Sequence, residues 1–212
     1  MKSDIEIKNE RIGWIAYTGI IFLLLILYLL VNHLPLNRHT IPFLPEESSI
    51  PFLPWTFAVY ISVFFQGILV LKDLPYKIFK RQVFVFSCMA FVAFAIFILL
   101  PIEYPRTFYP TTNSLIFFFR FIDGAGNCFP SLHVAITIFL AGSYCFMQRS
   151  FTKRFFMWIW TISITTSVLT TKQHYIVDVI GGIILVIPFL LYLKPHEIHS
   201  KRLLTLTKYW QN

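Results

Sequence analysis

The chain has 212 residues, of which 57% are hydrophobic and only 13% charged. A soluble domain is about 45–50% apolar and about 25% charged, so this composition excludes an ordinary soluble enzyme and predicts an all-α integral membrane protein. The net charge of +8 sits in clusters between apolar runs. It therefore reads as a topology signal, and no nucleic-acid partner is expected.

In chain order, Met1 to Arg11 is polar and charged, and the first apolar run covers about 12–34. That run carries no small-residue cleavage site and is expected to stay as a span, not to be removed as a signal peptide. Residues 41–54 contain Ile-Pro-Phe-Leu-Pro twice, at 41–45 and 50–54. Proline disfavours helix there, which predicts an extended loop along the membrane interface, a rigid connector with a substrate gate as the alternative. Spans are expected at about 55–71 and 82–102. Residues 114–122 are apolar but too short to cross a bilayer, and are read as an interfacial helix. Three more spans follow at about 130–148, 155–171 and 175–193, the last containing Pro188. Trp14 and Trp55 fall near span ends, as belt residues do. Six transmembrane helices use up residues 1–212 as a single membrane domain and leave no room for a soluble one.

The basic residues alternate between the two sides of this layout. Lys2, Lys8 and Arg11, then Lys72, Lys77, Lys80 and Arg81, then Arg149, Lys153 and Arg154, then Lys194, Lys201, Arg202 and Lys208 share one side. The other side keeps only Arg38, Arg106, Arg120 and Lys172. The positive-inside rule places both termini in the cytoplasm, and the expected location is the plasma (inner) membrane. The fourth and sixth spans then start at the non-cytoplasmic face, which brings His133 and His174 to one level. Cys88, Cys128 and Cys145 form no disulfide framework and no metal-ligand spacing.

The chemistry-bearing residues lie at those two span starts. His174 and Asp178 stand four apart, on one helix face, with side chains leaning toward the N-terminus. Asp178 can hold one ring nitrogen and leave the other free as a base or nucleophile. The same pair could also be a self-satisfied polar contact between helices. Near the fourth span, Pro130 suits a first helical turn, whose free N–H groups and dipole attract anions. Ser131 adds a hydroxyl, and His133, one turn in, is placed to donate a proton to a leaving oxygen. Gly124, Gly126 and Asn127 permit a close-approaching backbone before it. Lys172, Arg106 and Arg120 are the candidate phosphate-binding cations, each with headgroup anchoring as its alternative use.

Cys-Phe-Pro-Ser-Leu-His-Val-Ala at 128–135 and Thr-Lys-Gln-His-Tyr-Ile-Val-Asp-Val-Ile-Gly-Gly at 171–182 resemble two motifs of the type-2 phosphatidic acid phosphatase superfamily. Those motifs are usually written PSGH and SRxxxxxHxxxD, and the six-span layout fits the family over roughly 50–193. The resemblance implies that His174 is a nucleophile forming a phosphohistidine, that Asp178 orients it, and that His133 protonates the leaving group. Three departures stand out. Leu132 replaces the motif glycine, Val168 stands where an arginine is expected, and no KxxxxxxRP motif precedes. The variant motifs look closest to the branch containing inositol phosphorylceramide synthase and sphingomyelin synthase relatives.

The expectation is a metal-independent lipid phosphatase or phosphotransferase with no cofactor, whose partners are a lipid phosphate and the bilayer. No oligomeric state is assigned. A phospholipid headgroup transferase is the alternative within this class. Outside it stand a metalloenzyme using His133, His174 and Asp178, and a non-catalytic lipid transporter.

Overall fold

The computed structural model describes residues 4–72, 74–109 and 111–194. Lys2, Lys201, Arg202 and Lys208, used above for orientation, lie outside the described residues, as do both ends of the 1–212 domain. Among the described residues the chain is helical and has no strand. The helices are α1 (Asp4–Asn32), α2 (Pro45–Ser49), α3 (Phe57–Ile61), α4 (Val63–Leu71), α5 (Tyr76–Leu99), α6 (Ser114–Ile122), α7 (Leu132–Met147), α8 (Phe151–Thr170) and α9 (Ile176–Leu193). Three begin where a Ser or Asn side chain accepts from the first turn: Asn113 for α6, Ser131 for α7 and Ser150 for α8.

Four stretches among the described residues are long and apolar enough to cross a membrane: Asn9–Asn32, Pro54–Leu71, Tyr76–Leu99 and Ile176–Leu193. The other two expected spans are helices that fall short of that standard for different reasons. α7 has 16 residues, about 24 Å of helix against a hydrocarbon core of about 30 Å. α8 has 20 residues but opens with Lys153 and Arg154 and is rich in Ser and Thr. The stretch expected at about 55–71 is segmented, with a short 3-10 turn at Pro54–Thr56 and a break at Ser62.

α7 is the central helix and packs against α4, α5, α8 and α9. Its contact with α9 is close because Gly182 lets the backbones approach: a Cβ there would lie 2.4 Å from the Ser131 carbonyl oxygen. The core gathers Val85, Met89, Phe97, Leu132, Phe139 and Val186 from α5, α7 and α9. One polar cluster inside this bundle joins three helices. Gln66 donates to Thr161 at 2.9 Å and accepts from Thr137 at 2.7 Å, joining α4, α8 and α7.

The loop at 41–54 differs from the extended interfacial connector expected for it. Pro45 starts the short helix α2, a position where its missing N–H costs nothing. The loop is folded onto the helix ends: Leu53 N–H donates to the Thr170 carbonyl at 2.9 Å, and Phe43 packs on Tyr104 and Tyr175. A second loop is stitched to it, with His39 N–H on the Pro101 carbonyl and Glu103 N–H on the His39 carbonyl. Together these loops cap the N-terminal ends of α7 and α9. α6 buries Ile116, while Phe117, Phe118 and Phe121 are exposed.

Candidate active site

The two motifs meet. The Ser131 N–H donates to the Asp178 carbonyl at 2.9 Å, so the start of α7 is hydrogen-bonded to the first turn of α9. At α9, His174 Nδ1 lies 3.3 Å from Asp178 Oδ2. The same carboxylate oxygen accepts the Tyr175 N–H at 2.8 Å, half of a capping box in which the third helical residue reaches back to the cap. Asp178 is fully buried, and its Oδ1 has no hydrogen-bond partner. A carboxylate held in that state keeps a proton on Nδ1 and leaves Nε2 of His174 as the free nitrogen.

His133 is fixed differently. Its Nε2 lies 2.8 Å from the Tyr60 carbonyl, and its ring stacks on that of Tyr60 at 3.9 Å between centroids and 9° between planes. A carbonyl only accepts, so Nε2 carries the proton and Nδ1 is the nitrogen available to a substrate. Pro130 sits one residue before the cap and not in the first turn of α7. The Ser131 hydroxyl serves as the N-cap, 3.4 Å from the Val134 N–H.

The three cations are held mainly by carbonyl oxygens, which orient a charge without cancelling it. Arg120 donates to the Tyr109 carbonyl at 2.7 Å and the Thr171 carbonyl at 3.3 Å. Arg106 donates to the Asp123 carbonyl, with the Asp123 carboxylate 3.8 Å away. The Nε of each arginine is buried without a partner. Lys172 donates to the Glu47 carbonyl at 3.1 Å and lies over the Tyr109 ring, with two of its three donors unassigned by these contacts. Burial lowers the pKa of Lys172, opposed by the charge of Glu47. Burial, with Arg106 nearby, lowers that of Arg120. Arg38, the fourth basic residue of this side, is used structurally, donating to the Asn32 carbonyl at the end of α1.

Val168, at the place of the missing motif arginine, is fully buried among Phe57, Tyr60, Ile116, Val134 and Val179. Hydrocarbon fills that position, so positive charge reaches this end of the bundle from other segments. Leu132 is likewise a core residue.

Several residues at the site carry no signal in the sequence. Glu47 is buried in α2, and Asp123 accepts from Tyr28 and Asn32 of α1 while facing Arg106. Cys128 brings its Sγ within 4.8 Å of ligand atoms of His174 and Asp178. Among the described residues these three form a group placed to share a metal ion; His133, expected in such a set, is not part of it. Burial pushes the Cys128 thiol pKa well up, and the thiol donates to the Ala125 carbonyl at 3.1 Å.

No curated protein matches the chain. A family model described as the PAP2 superfamily matches residues 51–191, a stretch that holds both histidine motifs and all three cations. The chain belongs to the PAP2, or type-2 phosphatidic acid phosphatase, superfamily.

Proposed function

We propose that this protein is a membrane lipid phosphatase or phosphotransferase in which His174 attacks the phosphorus of a lipid phosphate ester. Superfamily membership supports the phosphatase/phosphotransferase class, a lipid phosphate substrate and a multi-pass membrane setting. The observation that carries the finer reading is the His174–Asp178 pair, with Nε2 free, at the same end of the bundle as three cations bound mainly to carbonyls.

In this mechanism Asp178 keeps the proton on Nδ1 and stabilises the imidazolium that forms as Nε2 bonds to phosphorus. Arg106, Arg120, Lys172 and the N–H groups at the start of α7 meet the charge on the equatorial phosphate oxygens. His133, protonated at Nδ1, gives that proton to the leaving oxygen while Nε2–H stays on the Tyr60 carbonyl. Water or a lipid hydroxyl, activated by the same nitrogen, then displaces the phosphohistidine. The chain supplies the charge stabilisation itself, and the reaction needs no metal. α7 and α8 complete a six-span topology with cytoplasmic termini and the site at the non-cytoplasmic face, as the asymmetric Lys and Arg clusters favour.

Protein purified in detergent, incubated with EDTA and a panel of lipid phosphates and phosphatidylinositol, tests this reading. Free phosphate and new lipid products are followed together, with His174→Ala alongside. His174-dependent phosphate release is the expected result. A new phospholipid without free phosphate identifies a headgroup transferase. Loss of all turnover in EDTA would contradict the metal-free mechanism and point to the Cys128, His174 and Asp178 set.

A further inference from the structure

The turn that carries His174 is not held by its own helices alone. Lys172 adopts φ of 55°, the left-handed region that side-chain-bearing residues rarely occupy, and such a conformation persists only where its surroundings fix it. A single residue from a distant loop supplies two of the fixings and is itself held in place by a third bond. Glu47 is 5% exposed; its Oε1 accepts the Ile176 N–H at 2.5 Å, its Oε2 accepts the Leu44 N–H at 2.8 Å, and its carbonyl accepts the Lys172 ammonium at 3.1 Å. One carboxylate thus caps the first residue of α9, closes its own loop, and sits beside the cation two residues before the nucleophile. Next to it, the Asp178 carboxylate takes the Tyr175 N–H. The N-terminus of α9 is therefore clamped by two acids, one from within the helix and one 129 residues away in sequence.

We propose that Glu47 is a positioning residue for His174, a latch that fixes the 172–176 turn so that the imidazole meets the phosphorus in line. The role of the latch in turnover rests on the function proposed above; the latch itself does not. A buried carboxylate on a helix N-terminus is favoured by the dipole and the unpaired N–H groups there. Removing it leaves the Ile176 and Leu44 N–H groups without their carboxylate partner in a dry environment, and the turn is free to relax. A small displacement of a nucleophile costs turnover far more than it costs binding.

The test uses full-length protein in detergent with Glu47→Ala and Glu47→Gln, and His174→Ala as control. Backbone hydrogen exchange over 172–178 is measured without substrate, and kinetics use dioleoyl phosphatidate in detergent micelles. Glu47→Ala is expected to speed exchange of these amides and to lower kcat about 30-fold with KM changed less than about 2-fold. Glu47→Gln, which keeps one acceptor oxygen, should recover most of both. Unchanged exchange in Glu47→Ala would overturn the latch. Faster exchange with kcat within about 2-fold of wild type, or kcat and KM worsening together, would overturn its positioning role. A global loss of fold shows as exchange rising equally in α5 and α7, and Glu47→Gln then decides. Full activity of His174→Ala, or a wild type inert toward the phosphatidate, counts against the proposed function and leaves exchange to judge the latch.

Discussion

α1 and α9 are both apolar enough to cross a membrane, yet they do opposite work. Along its membrane-crossing stretch α1 has 6% of its residues buried, whereas α9 has 39%. α1 turns Ile15, Phe22, Leu23, Ile26 and Leu30 outward and reaches the site only at its far end, where Tyr28 and Asn32 hold Asp123. α9 presses Gly182 against the start of α7 and places a fully buried aspartate in its first turn. Hydrophobicity alone thus says that a helix belongs in lipid; the small and ionisable residues decide whether it faces lipid or the site.

The largest effect should come from the buried end of α9. Asp178→Asn replaces the carboxylate that fixes the His174 tautomer and is expected to lower kcat roughly 10³-fold, while thermal unfolding in detergent changes little. Activity within a few-fold of wild type would mean that the pair is only structural. Gly182→Ala comes next. Its Cβ would meet the Ser131 carbonyl oxygen, a backbone atom, at 2.4 Å, so α7 and α9 must separate. Overpacking of this kind costs about 1–3 kcal/mol. Because the separation falls between the two histidine motifs, activity should drop with stability.

A subtler effect concerns charge. The pKa of Lys172 is lowered by burial, so its cation is lost at a lower pH than that of an ordinary lysine. Turnover that depends on it should decline on the alkaline side, and Lys172→Arg, which keeps its charge, should move that decline to higher pH. A pH profile unchanged by Lys172→Arg would assign the lysine to the Glu47 contact alone. The smallest effect is expected on α1. A Cβ at Gly19 meets nothing within 4 Å, and Gly19→Ala should change stability by no more than about 0.5 kcal/mol and activity not at all. A large loss there would show that α1 is covered by something and is not a lipid-facing helix.

Legible in the sequence are the parts of the candidate site that break the apolar background. His133, His174 and Asp178 stand out because ionisable groups at span ends are costly to keep, and the i, i+4 rule pairs the last two without any tertiary knowledge. The long helices overlap the apolar runs, with α1 beginning eight residues and α5 six residues before theirs, and α6 covers Ser114–Ile122. What stayed hidden depends on contacts across distance. Glu47 lies in a proline-rich loop whose composition suggests a connector, and its partner Ile176 is 129 residues away. Cys128 and Tyr60 reach the histidines only once α3, α7 and α9 are packed. What orients the cations is hidden for the same reason: carbonyls of Tyr109, Thr171 and Glu47 hold Arg120 and Lys172, and no local pattern encodes a carbonyl's position.

The most direct test of a His174-centred phosphoryl transfer is to follow turnover and covalent label in the same samples. Protein is mixed rapidly with ³²P-labelled lipid phosphate, quenched in alkali to preserve phosphohistidine, and the labelled peptide is sequenced by mass spectrometry. The account predicts label on His174 in wild type, with label and turnover both absent in His174→Ala. Sustained turnover by His174→Ala, or label on another residue, would contradict it.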